Sequence, residues 1–154
     1  MNALLEELVR SLPDAHEAAQ VTIRLLAALI AGAVVGLQRE RSRAPAGLRT
    51  HMLVSMGVTM FVFMATDVGM AEDAQSRVIQ GIATGVGFLG AGAIIKMKDQ
   101  LEIHGLTTAA GIWMTAGIGV AIGLGRLGVA AIGALFAWFV LAIVVKAEPH
   151  PRSD

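Results

Sequence analysis

Polar side chains that could do chemistry are concentrated where apolar stretches of the chain are interrupted. Ionisable side chains at the edge of an apolar span are energetically costly, so they are candidates for a functional site. The candidates at the predicted cytoplasmic side are Arg39, Glu40, Arg49, Thr50, His51, Thr107 and Thr108. Glu40 is the only carboxylate of this set and could bind a cation, since Mg²⁺ prefers oxygen ligands. Beside so many arginines it could instead form an ion pair, and the sequence leaves both interpretations open.

Catalytic chemistry has little support in the sequence. His51 and Ser55 are four residues apart and would share a helix face, but no neighbouring acidic residue could orient the imidazole. The chain contains no cysteine, which excludes thiol catalysis and thiolate metal sites. We therefore predict that the protein is not an enzyme. The sequence indicates no cofactor with certainty.

The elements that must position these side chains are apolar stretches. Hydrophobic residues make up 55% of the 154-residue chain and charged residues 16%, against roughly 25% charged in soluble domains. The apolar stretches cover residues 21–37, 48–66, 78–95, 106–124 and 127–145. Each holds about 17–20 residues, close to the minimum that crosses a hydrocarbon core of about 30 Å. The sequence predicts an all-α fold, a polytopic membrane bundle of about five short glycine-rich helices, with the transmembrane domain at residues 21–146.

The charges between these stretches predict an orientation. Four arginines lie between residues 39 and 49, and two lysines follow the third stretch, whereas the alternate loops carry few basic residues. Basic loops remain in the cytoplasm of bacterial membrane proteins. We therefore predict an inner-membrane protein with residues 1–20 outside, where they could form an amphipathic helix, and with residues 147–154 as a cytoplasmic tail.

Glycine spacing predicts how the helices pack. Three pairs are four residues apart, a spacing that lets helices approach closely in lipid: Gly32 and Gly36, Gly81 and Gly85, Gly119 and Gly123. The third stretch is richest in glycine, and each glycine weakens a helix by up to about 1 kcal/mol relative to alanine. This stretch could therefore either pack tightly against a neighbouring helix or break. The residues at which we expect one or the other are Gln80, Gly85, Gly87, Gly90 and Gly92.

Partners can also be predicted from composition. The formal net charge is zero, which argues against a nucleic-acid partner. The lipid bilayer is the expected environment. The small-residue faces exceed what five helices need for their own packing, so we expect a homo-oligomer, with a dimer favoured.

Three segments of the chain resemble the MgtC/SapB family of membrane proteins. They are GLQRERSRAPAGLRTHMLVSMG at residues 36–57, RVIQGIATGVGFLGAGAIIK at 77–96 and GLTTAAGIWMTAGIGVAIGLG at 105–125. Together they cover about two-thirds of the chain. The resemblance singles out Arg39, Gly47, Leu48, Arg49, Thr50, Gln80, Gly87, Gly90, Gly92, Gly105, Thr108 and Trp113. Gln38 departs from the pattern because relatives often carry Glu there.

This resemblance implies a role in magnesium homeostasis, with links to acid resistance and virulence, and magnesium as a ligand or substrate. Many relatives carry a cytoplasmic domain after the last span, and we expect this chain to lack it. Two functions remain open. A small ion transporter or channel predicts a polar path lined by Arg49, His51, Gln80 and Thr108. A non-conducting regulator that binds another membrane complex, such as the ATP synthase, predicts dry packing and no path.

Overall fold

A computed structural model describes residues 12–96 and 103–144, together with Glu7. It contains helices α1 (Ala15–Arg41), α2 (Leu48–Asp67), α3 (Glu72–Ala93), α4 (Leu106–Gly123) and α5 (Leu127–Phe139), the last continued by a π-helix at Val140–Val144. Two short antiparallel strands, β1 (Ile95–Lys96) and β2 (Ile103–His104), flank the connection from α3 to α4. Residues 1–6 and 8–11 of the predicted amphipathic segment and all of the predicted tail fall outside the described residues, whereas residues 15–20 belong to α1.

The predicted helical membrane bundle is confirmed. Helices α1, α2 and α4 are long and apolar enough to cross a membrane, and α5 with most of its π-helical continuation forms a shorter apolar helix. Helix α3 is more polar, because its first two turns carry Glu72, Asp73 and Arg77. The bundle therefore contains one helix whose sequence suits lipid contact less well than the others.

Helix starts differ from the predicted spans where polar residues begin the helix. Helices α2 and α4 start at residues 48 and 106, as predicted. Helix α1 starts at Ala15, because Asp14 accepts a hydrogen bond from the backbone N–H of Glu17 and the Glu17 side chain accepts one in return. This capping box satisfies backbone donors ahead of the apolar stretch, so the helix extends beyond the apolar span.

The core is divided between two clusters of buried apolar side chains. One cluster lies between α1, α4 and α5 and contains Val35, Ile122 and Ala134. The other joins α2, α3 and α4 through Val58, Val86 and Ile112. Helix α4 contributes to both clusters, so it is the central element of the bundle.

Close helix crossings at two of the three glycine pairs are confirmed. A Cβ atom at Gly32 would lie 2.7 Å from the carbonyl oxygen of His51, and one at Gly36 would lie 2.8 Å from the Cα of Leu48. On α4, a Cβ at Gly119 would lie 2.8 Å from the carbonyl oxygen of Ser55. No side chain fits at these distances, so α1 and α4 both pack backbone to backbone against α2.

The third glycine pair does not pack within the described part of the chain. A Cβ at Gly81 or Gly85 would meet no atom within 4 Å, and in the glycine-rich part of α3 only Gly90 lies against a neighbour, Ala109 on α4. The break left open as an alternative to tight packing is not formed, because α3 is continuous from Glu72 to Ala93. In lipid every backbone N–H and C=O needs a partner, which favours an unbroken helix despite the glycines.

Candidate functional site

Buried polar side chains form a row between α1, α2 and α4, which we call the polar seam. Each is at most 7% exposed, and most are wholly buried. The members are Arg39, His51, Ser55, Thr59, Thr108 and Thr115. Six polar side chains buried among apolar helices are costly unless they find partners. Their hydrogen bonds therefore decide what the seam can do.

Helices α2 and α4 run in the same direction along this seam. His51 lies against Gly111, and the hydroxyl of Thr59 donates to the carbonyl oxygen of Gly119 at 3.1 Å. Further along both helices, Val62 lies against Gly123. Because α4 presents a glycine at each contact, the backbones approach closely enough for a threonine hydroxyl to reach across the interface.

Arg39 closes the seam at the end where α1 terminates. Its Nη2 donates to Oγ1 of Thr108 at 2.8 Å, which ties the last turn of α1 to the first turn of α4. Both residues belong to the predicted polar site, and the structure brings them together. The one ion pair among the described residues is Arg77 with Asp73 on α3, so no described carboxylate pairs with Arg39.

The imidazole of His51 is oriented by its own helix. Its Nδ1 lies 2.9 Å from the carbonyl oxygen of Gly47, which can only accept, so Nδ1 carries the proton. The second ring nitrogen, Nε2, points toward Gly111 on α4, where a Cβ atom would lie 3.5 Å away. The ring is wholly buried, and Nε2 has no hydrogen-bond partner in the part of the chain that the structure describes.

Glu40 holds the start of α2. Its Oε2 accepts a hydrogen bond of 2.9 Å from the backbone N–H of Leu48, the first residue of that helix. Gly47 precedes it without a side chain, and a Cβ there would collide with the Glu40 carboxylate. The ion pair considered for Glu40 is not formed with any described residue. Glu40 therefore caps a helix in place of a side chain at Gly47.

The described residues at this end of the bundle form no cluster of metal ligands. Mg²⁺ demands near-octahedral oxygen coordination. Within residues 12–96 and 103–144 there is no group of three or more histidine or acidic side chains that could hold a metal ion. The Glu40 carboxylate is exposed and already accepts a backbone hydrogen bond. The capping contact alone explains its position.

The remaining predicted residues lie on other surfaces. Arg49 and Thr107 are exposed and Thr50 is half-buried at the same end of the bundle. Gln80 is exposed on α3, and Trp113 is 58% exposed on α4. Arg49 and Gln80 thus face away from the buried His51 and Thr108, so these four residues do not line one path in a single chain.

Two further contacts of α1 were not anticipated. Near the opposite end of the bundle, Nη1 of Arg24 donates to the carbonyl oxygen of Gly123 at 2.6 Å, and the guanidinium lies 4.8 Å from the centre of the Phe63 ring. Gln38 donates from Nε2 to the carbonyl oxygen of Leu141, in the π-helix, at 3.2 Å. The signal for Arg24 was its charge within an apolar stretch. No local pattern indicated the partner of Gln38.

The hydroxyl members of the seam were also missed as a group. Ser55 and Thr59 follow His51 at intervals of four residues, and Thr115 follows Gly111 at the same interval and donates to its carbonyl oxygen at 2.9 Å. This spacing places hydroxyls on one face of each helix. The four-residue spacing of these hydroxyl residues could therefore have predicted a buried polar row from the sequence.

One face of α3 stays open, and we call it the outer face of α3. It contains the exposed residues Gln80, Thr84, Gly87 and Ala91, spaced by four, three and four positions. Such spacing places all four on one side of the helix. Beside it, an apolar groove of about 560 Å³ separates α3 from α2 and is lined partly by Phe61, Gly81 and Gly85.

Comparison with known protein families gives a match that extends over nearly the whole described bundle. The sequence model of the MgtC family matches residues 25–149. The chain belongs to the MgtC family. Its relatives include the protein SrpB of Synechococcus elongatus, 43% identical over 79% of this chain and 73% of SrpB. MgtC of Salmonella typhimurium is 41% identical to this chain. The alignment covers 68% of this chain and 43% of the length of MgtC.

A third relative in the MgtC family is YhiD of Escherichia coli K12, named a putative magnesium transporter. It is 39% identical over 81% of this chain and 60% of YhiD. The chain thus spans less than two-thirds of the length of MgtC and of YhiD. No solved structure matches the chain.

Proposed function

We propose that this MgtC-family protein acts in magnesium homeostasis as a non-conducting regulator that binds another membrane protein through the outer face of α3. One observation carries the proposal: α3 is an unbroken helix whose small and polar side chains are open to the surroundings. The link to magnesium rests on the family and on the name of the relative YhiD.

Lipid is a poor neighbour for the outer face of α3. An amide such as Gln80 loses its hydrogen bonds to water when it faces hydrocarbon, which costs free energy. Glycine and small polar residues let a second helix approach. The Gln80 amide can donate a hydrogen bond to that helix, and the Thr84 hydroxyl, which donates to the Gln80 carbonyl oxygen, can accept one. The partner that fits is a transmembrane helix with small residues and its own hydrogen-bonding side chain.

The interior of the single chain does not favour ion passage. Three cavities beside the described helices are lined almost entirely by apolar side chains. The polar seam is closed by the Arg39 guanidinium, whose positive charge repels a cation. These features support a protein that works by contact.

Orientation is part of the proposal. The exposed arginines at positions 41 and 43 lie at and just beyond the end of α1, whereas the acidic residues Asp67, Glu72 and Asp73 flank the turn between α2 and α3. By the positive-inside rule, the end of α1 would lie on the cytoplasmic side of a bacterial inner membrane, with the N-terminus outside and the C-terminus in the cytoplasm.

A small magnesium transporter is the second candidate function. It is supported by the name of YhiD and by the hydroxyls of Ser55, Thr59 and Thr115, which follow one another along the interface of α2 and α4. In an oligomer, the exposed Gln80 and Thr84 of several copies could also line a path between the chains.

Magnesium flux separates the two functions. Purified protein would be reconstituted into liposomes containing a magnesium-sensitive dye, and uptake compared with empty liposomes. The regulator predicts no flux above the empty control from folded protein. Flux that is lost in Thr59→Val but kept in the exposed control Thr107→Val would overturn it in favour of transport.

The regulator has a test of its own in inverted membrane vesicles. ATP-driven proton pumping would be measured with and without the protein, because the ATP synthase is the partner suggested by the family. We expect pumping to fall with wild-type protein and to recover with Thr84→Leu, which fills the outer face of α3. The control Leu135→Ile, on the exposed surface of α5, should behave as wild type. Equal pumping with and without wild-type protein would remove the ATP synthase as the partner.

A further inference from the structure

Three buried polar atoms in the seam have no hydrogen-bond partner among the described residues: Nε of Arg39, Nε2 of His51 and Oγ of Ser55. Arg39 is 7% exposed, and His51 and Ser55 are wholly buried. A buried polar atom without a partner is expensive, and native proteins rarely leave several in one place. A cluster of three indicates an occupant that the side chains themselves do not supply.

The three atoms belong to neighbouring positions of the seam. Arg39 is held against Thr108, and the His51 ring faces Gly111, one turn further along α4. Residues three apart on a helix lie on the same face. Ser55 follows His51 one turn along α2. Because Gly111 has no side chain, no side chain of α4 covers Nε2 at that position.

The donors and acceptors select the occupant. The Nε of Arg39 can only donate, whereas Nε2 of His51 offers a lone pair because Nδ1 carries the ring proton. The Ser55 hydroxyl can do either. An anion would satisfy the guanidinium but would face the imidazole lone pair, and a metal cation would be repelled by Arg39. A molecule that both accepts and donates fits all three groups.

We propose that the polar seam contains a binding site for one ordered water molecule, held by Arg39, His51 and Ser55 between α1, α2 and α4. The water accepts from Nε of Arg39 and donates to Nε2 of His51. Its remaining hydrogen bond goes to the Ser55 hydroxyl. Buried waters typically make about three hydrogen bonds of this kind.

Substitution of Ser55 gives a test in which the two possibilities have opposite signs. If water is bound, Ser55→Ala removes one of its partners and the melting temperature in detergent should fall. If the site is dry, the same change removes an unsatisfied hydroxyl and the melting temperature should rise, which would overturn the proposal. The exposed Ser76→Ala in α3 measures the gain in helix propensity alone.

A second pair of variants tests the space beside the imidazole. A Cβ at Gly111 would make an ordinary 3.5 Å contact with Nε2 of His51, whereas one at Gly117 on the same helix would meet nothing. In a dry site both alanines should be tolerated equally. With water bound, Gly111→Ala crowds or displaces it, and this variant alone should melt at a lower temperature.

A crystal structure that shows ordered solvent decides the occupant directly. The proposal requires a single peak within hydrogen-bond distance of Nε of Arg39 and Nε2 of His51. Empty density there would overturn it. A peak with the anomalous signal of bromide, in crystals grown with bromide, would also overturn it, because the occupant would then be an anion.

Discussion

Arg39 at the end of α1 and Thr108 at the start of α4 are joined by a buried hydrogen bond of 2.8 Å, from Nη2 to Oγ1. These two residues are 69 positions apart in the chain; Arg39 follows the first apolar stretch and Thr108 lies near the start of the fourth. A charged donor in a low-dielectric interior makes a strong hydrogen bond, and losing its acceptor leaves an unsatisfied charge. The contact therefore fixes how α1 and α4 meet at this end of the bundle.

The first prediction concerns this hydrogen bond. Thr108→Val keeps the shape of the side chain but removes the acceptor, and we expect it to lower the free energy of unfolding by about 1.5–3 kcal/mol, the usual size for hydrogen bonds to charged groups. Thr107→Val changes the exposed neighbour and should have little effect. Chemical unfolding followed by tryptophan fluorescence measures both. A loss of similar size in the two variants would show that the bond to Arg39 is not responsible.

The second prediction compares glycines that look alike in the sequence. Gly36→Ala places a methyl group 2.8 Å from the Cα of Leu48 and should prevent α1 and α2 from packing, so little folded protein should be recovered. Gly81→Ala meets no atom, and it should stabilise α3 by up to about 1 kcal/mol through helix propensity. Folded yield and thermal unfolding are the measurements. Equal tolerance of the two alanines would contradict the close crossing of α1 and α2.

The third prediction separates capping from metal binding at Glu40. Glu40→Ala removes the acceptor for the Leu48 N–H and should cost about 1 kcal/mol, as for other helix caps. Glu40→Gln keeps an oxygen acceptor and should cost less. Adding magnesium should change the melting temperature of wild type and of Glu40→Gln by the same amount. A magnesium-dependent rise confined to wild type would instead assign Glu40 as a ligand.

The fourth prediction tests the homodimer expected from the sequence, using the absence of native cysteine. A homodimer that used the outer face of α3 would occupy the surface proposed for the partner, and in that case the single variant Thr84→Cys should form disulfide-linked dimers in native membranes under mild oxidation. The control Leu135→Cys lies on the exposed surface of α5 and should remain monomeric. Monomers from both variants would argue that the outer face of α3 binds a different protein.

The helices could be read from the sequence because lipid imposes one requirement on all of them. Every apolar stretch must satisfy its own backbone hydrogen bonds, so length and hydropathy located α2 and α4 to within one residue at each end. The starts of α1 and α3 were placed too late. Their first turns are polar, and polar turns continue a helix beyond the apolar stretch.

The candidate site was only partly readable. Arg39, His51 and Thr108 were recognised as polar residues at one end of the bundle, but the sequence could not distinguish buried members from exposed ones such as Arg49. Burial depends on which helices become neighbours, and glycine spacing alone did not decide that. The same spacing packs tightly at Gly119 and Gly123 and is open at Gly81 and Gly85.

Glu40 shows a different kind of error. Its arginine neighbours in sequence suggested an ion pair, but the carboxylate reaches eight residues ahead to the N–H of Leu48. The free backbone donors at the start of α2 compete for it, since Gly47 offers no side chain of its own. Such a competition is visible only when the turn between the two helices is known.

The two arginines of α1 have a consequence for motion. Arg24 bonds to Gly123 and Arg39 bonds to Thr108, so the two contacts lie fifteen residues apart on each helix (39 − 24 and 123 − 108). At the rise of an α-helix this is about 22 Å on both. Because the two hydrogen bonds are equally spaced on both helices, α1 cannot slide along α4 unless both bonds break together. A rearrangement that accompanies partner binding would then keep α1 and α4 in register and move other helices, such as α3 with its open outer face, against this pair.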